Sequence, residues 1–281
     1  MSIIKKRIKN RLKDYKNIVI WGTGGLANSA IKHWLPKNNI AYIVDNLNKK
    51  SFFNSFNVYS KDKLLEKKPD LIIVCSSAYI EIFENIKSLG VNCEYIYIYE
   101  LFLSKEYKFN ELEKLYIDII ATKNCSLIKL FFNKPQVLVN FSFRLCKFLI
   151  NYKLLYPIYL IMYFIHHIFC LLLSIQLPLN VEAGPGLIFA HPGTLVFTSR
   201  AKLGAFVTIY HCCTIGTTLK GGTPVIGDFV TIYTGSHILG KTKIAKHSKV
   251  GALSLLLDFQ GEEYSTIAGI PATTKRRFVT H

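Results

Sequence analysis

The 281-residue sequence is short of acid: 18 Asp and Glu stand against 35 Lys and Arg, a formal charge of +17 at neutral pH. The excess is spread out, +12 over residues 1–175 (25 cations, 13 anions) and +5 over residues 176–281 (10 against 5). It forms no aromatic-studded stripe and accompanies no nucleic-acid motif, which sets nucleic acid aside as a partner. Anionic lipid and phosphate-bearing small molecules are the better candidates. The seven cysteines (Cys75, Cys93, Cys125, Cys146, Cys170, Cys212, Cys213) include no CxxC pair and no metal-ligand spacing, so no disulfide framework and no metal is expected. They read as reduced, buried thiols of a cytoplasmic protein. The basic N-terminus (Lys5, Lys6, Arg7, Lys9, Arg11, Lys13) lacks the apolar core and cleavage site of a signal peptide. Ile3, Ile4, Ile8 and Leu12 would line one face of a short helix there, either a solvated lead-in or a membrane-surface contact.

What is present divides into three expected segments. Residues 1–103 alternate strand and helix signals, which predicts a parallel sheet with helices on its faces. The strands are expected at Asn17–Trp21, Ile40–Val44, Leu71–Cys75 and Tyr95–Tyr99, with helices from Gly25 to about Leu35 and over Ala78–Leu89. Gly22, Gly24 and Gly25 follow the first strand, where backbone N–H groups can approach an anion at a helix start. Asp45, ending the second strand, is placed to accept hydrogen bonds from ribose hydroxyls. Ala27 stands where the third glycine of the dinucleotide fingerprint would be. The segment reads as a Rossmann-like domain that either binds a nucleotide or nucleotide sugar or keeps only the shape. Nothing elsewhere suggests hydride chemistry.

Residues 104–175 form a helical, increasingly apolar linker. Up to about residue 135 they read as a polar, helix-prone bridge. Val137–Lys153 is amphipathic, with Arg144, Lys147 and Lys153 as its cations, and Leu154–Leu173 carries no charge across twenty residues. That length meets the requirement for a membrane span, although Pro157 and the pair His166-His167 stand against one. Helices packed on the following domain or a neighbouring subunit, a pair lying in the membrane interface, and a true span are the three readings. His166 and His167 are expected to pack or to sit at an interface.

Over residues 176–281 an apolar residue recurs every six positions: Phe197, Leu203, Ile209 and Ile215, then Ile226, Ile232, Ile238, Ile244, Val250 and Leu256. Small residues follow several of them at once, as in Leu203-Gly204, Ile215-Gly216 and Ile226-Gly227. No helix or ordinary strand has this period; a parallel β-helix does, with three short sides per coil of about eighteen residues and the apolar residues at its corners. The beat breaks twice, at Ala190-His191-Pro192-Gly193 and at Thr217–Pro224. The second break leaves about five residues to bulge as a flexible loop. A histidine beside one insertion and a loop at the other suit a cleft with a general base and a lid, since imidazole can take a proton from an alcohol near neutral pH.

Residues 175–277 resemble serine acetyltransferase, and more closely the serine-acetyltransferase-like sugar O-acetyltransferases of surface-polysaccharide synthesis. The likeness is carried by Gly186-Leu187-Ile188-Phe189-Ala190-His191, Lys202-Leu203-Gly204, Thr214-Ile215-Gly216, Gly221-Gly222-Thr223-Pro224-Val225-Ile226-Gly227 and Ala268-Gly269-Ile270-Pro271-Ala272. The resemblance implies a homotrimer of left-handed β-helices with acetyl-CoA in the groove between subunits. It implies that His191 is the catalytic base and that a tetrahedral oxyanion is held by N–H donors of a coil turn. Thr217 and Gly235 fall where the family's backbone meets the pantetheine arm, and Ala252 on a later CoA-contacting coil. Lys275, Arg276 and Arg277 are placed by charge for CoA phosphates. His211 either lines the cleft as a substrate contact or is structural. His237 and His247 read as exposed strand residues, Cys212 and Cys213 as inward or interface packing.

Two departures bear on the chemistry. The family's carboxylate fifteen residues before the catalytic histidine falls on Gln176, which can hold one imidazole tautomer but cannot stabilise imidazolium as an anion does. Glu182 is the nearest acid in sequence. The serine enzymes carry a further histidine after the glycine pair of the loop, where this chain has Thr223-Pro224, which argues against serine as acceptor. The expected function is O-acetyl transfer to a sugar hydroxyl at the cytoplasmic side, with peripheral inner-membrane contact as an option. The alternatives are a serine or small-alcohol acetyltransferase and a non-catalytic sugar-nucleotide-binding scaffold.

Overall fold

The computed structural model describes residues 2–46, 51–103, 108–122 and 132–277, with backbone alone for residues 2–4 and 277. Cys125 and the side chains of Ile3, Ile4 and Arg277 thus lie outside the described residues. The chain divides into two compact units, residues 1–107 and 108–281.

The first unit is a six-stranded sheet built from β1 (Ile18–Trp21), β2 (Ile40–Val44), β3 (Phe52–Phe53), β4 (Phe56–Tyr59), β5 (Leu71–Val74) and β6 (Glu94–Tyr97). Its order is β3-β4-β2-β1-β5-β6, parallel throughout except for the β3–β4 hairpin. Every residue of β1 and β5 is buried, as continuous apolar runs in a parallel sheet should be. Helices α1 (Ser2–Arg11), α2 (Gly25–His33), α3 (Lys63–Glu66) and α4 (Tyr79–Ser88) complete the unit. Ile8 and Leu12 are fully buried, so the N-terminal helix packs by its apolar face. The β3–β4 hairpin has no expectation behind it: Phe52 and Tyr59 are exposed, and so short a pair shows no buried alternation.

The second unit holds a three-sided parallel β-helix. One side stacks β7 (Ile175–Gln176), β10 (Leu195–Phe197), β13 (Cys213–Gly216), β16 (His237–Leu239) and β19 (Leu255–Leu257). The second stacks β8 (Glu182–Ala183), β11 (Lys202–Leu203), β14 (Val225–Ile226) and β17 (Lys243–Ile244). The third stacks β9 (Ile188–Phe189), β12 (Thr208–Ile209), β15 (Thr231–Ile232), β18 (Lys249–Val250) and β20 (Ser265–Gly269), closed by antiparallel β21 (Ala272–Arg277). All ten residues of the six-residue beat are buried. They stack coil upon coil, Phe197 on Ile215, Ile238 and Leu256, and Ile209 on Ile232 and Val250. They lie within the short strands rather than at the corners. The small residue after them is set by coil spacing: a Cβ on Gly204 would lie 2.6 Å from the Asp228 backbone nitrogen, and one on Gly227 2.7 Å from that of Lys246.

The corners are occupied otherwise. Phe206, Phe229, His247 and Tyr264 all hold positive φ, between 53° and 59°, and stack as a ladder with ring centroids 5.6, 4.7 and 4.6 Å apart and nearly parallel planes. Left-handed backbone at bulky residues is unfavourable, and ring stacking offsets it. This corrects the reading of His247 as an exposed strand residue: it is buried at a corner between two rings. Burial pushes its imidazole down to about 3. His237 is exposed on its strand. The thiols are also more varied than expected, with Cys213 turned inward, Cys212 exposed and Cys93 and Cys170 half-buried.

Three helices, α5 (Glu111–Thr122), α6 (Val137–Leu149) and α7 (Tyr156–Leu172), pack on the first coil within the same unit. Val139 and Phe143 of α6 join the solenoid core directly. α5 lies where a polar, helix-prone bridge was expected, and it buries Leu115, Ile117, Asp118 and Thr122.

Candidate active site

The corner between the third and first sides brings together four of the candidate residues, His191, His211, Gly235 and Ala252. His191 stands two residues past β9, exposed to solvent, on the turn that breaks the beat. In the next coil Tyr210 and His211 stand just past β12, because Ile188 and Phe189 pair with Thr208 and Ile209. The His191 ring centroid lies 5.7 Å from that of Tyr210 and 6.0 Å from that of His211. Gly193 makes this approach geometrically feasible: its φ is 140°, and a Cβ there would meet His211 Cβ at 2.9 Å. His211 Nδ1 is buried and has no hydrogen-bond partner. On the following coils the same corner carries Gly235, with φ of 74°, and then Ala252, which is exposed.

The strand that presents His191 is pinned from the helices. Gln136 donates from Nε2 to the carbonyls of Phe189 (3.2 Å) and Ala190 (3.3 Å), and Asn140 donates to Leu187 O at 2.9 Å. Asp118 Oδ1 accepts from the N–H groups of Gly186 and Leu187, at 2.6 and 2.9 Å. Its other oxygen accepts from Nε of the fully buried Arg144 at 2.9 Å. Arg144 also donates to the carbonyls of Ala183 and Gly184 and pairs with Glu111. All the groups around Asp118 are N–H donors, so none of them accepts the proton of a neutral carboxyl. Burial raises its carboxyl, while Arg144 and the two backbone donors pull the other way. None of Asp118, Gln136, Asn140 and Arg144 was expected to reach the site. Their only signal in the sequence is polar residues on the apolar-patterned helices α5 and α6, which read equally well as a solvated face.

Other candidates lie elsewhere. Gln176 pairs through its backbone with Val196 on the first side, its side chain is exposed, and no hydrogen bond joins it to His191. Glu182 pairs with Lys202 at 3.2 Å across exposed side chains of the second side, away from His191. Thr217 opens the loop at the far end of β13. That loop is a tight turn: Gly221 N–H bonds Thr218 O and Thr218 Oγ1 bonds Gly221 O, both at 2.8 Å, and Leu219 stands fully exposed at its tip. Lys275 and Arg276 are exposed on β21 beside the third side. Among the described residues no group of three His, Cys, Asp or Glu is gathered to hold a metal.

In the first unit, Gly22 has φ of 121°, and a Cβ there would lie 3.0 Å from Cys75 O, so the turn lies tight over the end of β5. Gly24 caps α2 and Gly25 opens it. Asp45 Oδ2 accepts from Thr23 N–H at 2.9 Å and from its hydroxyl at 2.5 Å, so this carboxylate shapes the turn itself. The turn sits where β1 is flanked by β2 on one side and β5 on the other, the point at which strand order switches. A separate hollow of about 430 Å³ between α1 and the end of α2 is ringed by Lys5, Lys9, Lys32 and Lys37 over Trp34.

The fold and this corner define the class: a hexapeptide-type β-helix carrying a histidine at a coil insertion. The second unit accordingly has the fold of the serine acetyltransferases. The structure is similar to that of the serine acetyltransferase from Vibrio cholerae, with a TM-score of 0.51 and 21% identity over 60% of this chain and 67% of that one. It is also similar to the soybean serine acetyltransferase apoenzyme, with a TM-score of 0.50 and 28% identity over 59% of this chain and 69% of that one. In sequence the chain is 36% identical to a serine acetyltransferase of Staphylococcus epidermidis over 101 residues, 35% of this chain and 47% of that protein. The chain thus spans about half the length of the curated relatives it matches. Residues 14–97 match the family model described as C2185-like, N-terminal.

Proposed function

We propose that the protein is an acetyl-CoA-dependent O-acetyltransferase of the polysaccharide-biosynthesis branch, with a sugar hydroxyl as acceptor. The observation that carries the reading is the corner itself, where an exposed His191 stands 6.0 Å from a His211 whose Nδ1 lacks a partner. In the reaction His191 takes the proton of the acceptor hydroxyl as its oxygen attacks the thioester carbonyl. The tetrahedral intermediate collapses, the C–S bond breaks, and the CoA thiolate takes the proton back from the imidazolium to leave as the thiol. Gln176 is exposed and apart, so the site works without the usual carboxylate and turnover is slow. Gly235 and Ala252 on the same corner would meet the pantetheine arm, Thr217 another part of the cofactor, and Lys275 its phosphates.

The assembly proposed is a homotrimer of left-handed coils in the cytoplasm, with the cofactor between subunits. For the first unit we propose a Rossmann-like module that holds a nucleotide sugar at Gly22, Gly24, Gly25 and Asp45; the strand-order switch at this turn supports it. Serine as acceptor is the second reading, supported by the names of the relatives and opposed by Thr223-Pro224 in the loop. The test follows CoA release from acetyl-CoA with nucleotide sugars, free sugars and serine, comparing wild type with His191→Ala. Turnover that depends on His191 with a sugar supports the proposal. His191-dependent turnover with serine alone sinks the sugar reading, and cofactor binding without His191-dependent turnover on any acceptor sinks the enzyme.

A further inference from the structure

Helix α7 buries His166, half-buries the residues beside it and leaves a long apolar face open. Phe169, Cys170 and the following Leu173 pack against the solenoid core. His166 is buried between α6 and the first coil: its Nε2 donates to Leu177 O at 2.9 Å, so its Nδ1 accepts from the Ser142 hydroxyl at 2.8 Å. Opposite them, Leu154 is 91% exposed, Ile161 62%, Phe164 67%, Leu171 81% and Leu172 72%. A helix of seventeen residues is about 26 Å long, and contiguous apolar surface on that scale marks an interaction face.

Two observations choose the occupant. Between Asp118 and Glu182 the sequence holds no Asp or Glu, while Lys153 stands exposed just before the helix and the half-buried Lys134 and Lys147 lie before and on the neighbouring α6. Protein interfaces are rimmed by polar and charged groups of both signs, whereas an anionic bilayer favours a face with cations at its margin and no acid. An aromatic row also runs along one edge of the helix. Tyr156, Tyr159, Tyr163 and His167 follow one another at ring distances of 5.5, 5.8 and 4.3 Å, the amphipathic rings suited to the headgroup level.

We infer that α7 lies in the plane of an anionic membrane surface, with the face from Leu154 to Leu172 sunk among the acyl chains and the tyrosine row at the headgroups. A span is excluded by the packed face, since crossing the bilayer would strip His166 of both hydrogen bonds and leave it in hydrocarbon. The inference is independent of the acetyl-transfer reading, because it is read by binding and not by turnover.

The full chain is mixed with phosphatidylglycerol–phosphatidylethanolamine vesicles or with phosphatidylcholine vesicles and sedimented. Wild type is expected to pellet with the anionic vesicles, less with the neutral ones, and to be released by alkaline carbonate. Phe164→Glu with Leu171→Glu should weaken that binding at least tenfold, on the order expected for two apolar side chains kept out of lipid. Both positions are exposed, and unchanged thermal melting checks the fold; Phe164→Ser with Leu171→Ser is the milder pair. Wild type that stays in the supernatant with both vesicle types overturns the inference, as does retention after alkali, which would mean a span. A variant that binds vesicles as before while its mass in solution falls also overturns it, and assigns the face to contact between copies of this chain.

Discussion

The first coil and the last coils of the solenoid are held by different means. From β15 to β20, Ile232, Ile238, Ile244, Val250, Leu256 and Ile267 stack with neighbours one coil away. Hydroxyls of the same coils close the turns, Ser236 and Ser254 both bonding Gly251 O. The first coil has no earlier coil to rest on, and exposed solenoid ends need a cap. Here α5, α6 and α7 supply it, through Arg144, Asp118, Gln136 and Asn140 set into the backbone of residues 183–190. His191 stands at the junction. Repetition suffices where each coil copies its neighbour; the position of the candidate base depends on a polar brace that copies nothing.

Arg144→Met should break the comparison at its most polar point. It leaves the Asp118 carboxylate buried without its cation, a loss of about 3–5 kcal/mol. Denaturant melts would measure the loss, and hydrogen exchange should place it in residues 137–190 while coils beyond Ile226 stay protected. A change below about 1 kcal/mol would mean that the network does not hold the cap. Ile238→Ala is the counterpart in the regular stack, between Ile215 and Leu256. It should cost about 2–5 kcal/mol, with exchange rising first in the late coils and little change near Gln136. Equal exchange maps for the two variants would show that the regions unfold as one.

Acid offers a smaller lever on the late coils. His247 has an ordinary value of 6.5, and the fold lowers it to about 3 by burying it between Phe229 and Tyr264. The folded chain therefore refuses a proton that the unfolded chain takes below pH 6.5. The stability is intact above that value and declines as the pH falls toward 3, by about 2 kcal/mol at pH 5 relative to pH 7. His247→Phe keeps a ring in the stack and should flatten the decline, comparing unfolding midpoints at the two pH values. An undiminished decline in that variant would assign the acid sensitivity elsewhere.

The contrast also sets what could be read before any coordinates. The late coils were legible because their contacts recur at a fixed interval of about eighteen residues, so one apolar residue in six reports them. The parallel sheet of the first unit was legible from runs such as Ile18–Trp21 and Leu71–Val74, buried on both faces. His191 stood out as a candidate because it interrupts a regular pattern. The brace was not, since Arg144 meets Asp118 and Ala183 over separations that no local period marks, and an arginine on an amphipathic helix looks solvated. His247 was misread for a related reason: every sixth residue is inward, but a corner ring stacked on its neighbours sits off that beat. The β3–β4 hairpin was silent because half of it faces solvent.

Gln136→Leu is the finest probe of the junction, because it spares both the ion pair and the apolar core. The glutamine's amide bridges the carbonyls of Phe189 and Ala190, the two residues before His191. Leucine has similar bulk and no donor, so the buried Phe189 carbonyl and the half-buried Ala190 carbonyl lose a partner and stability falls by about 1 kcal/mol. The larger consequence should be kinetic. Under the proposed function, a turn freed by a few tenths of an ångström misplaces His191 against the acceptor hydroxyl, and turnover should drop about tenfold, with the KM for acetyl-CoA little changed because the pantetheine contacts proposed at Gly235 and Ala252 lie on later coils. Gln136→Asn, which keeps a donor on a shorter arm, should recover part of the rate. If turnover is unaltered in both variants while stability falls as expected, the helices cap the solenoid without setting the base, and the polar brace belongs to folding alone.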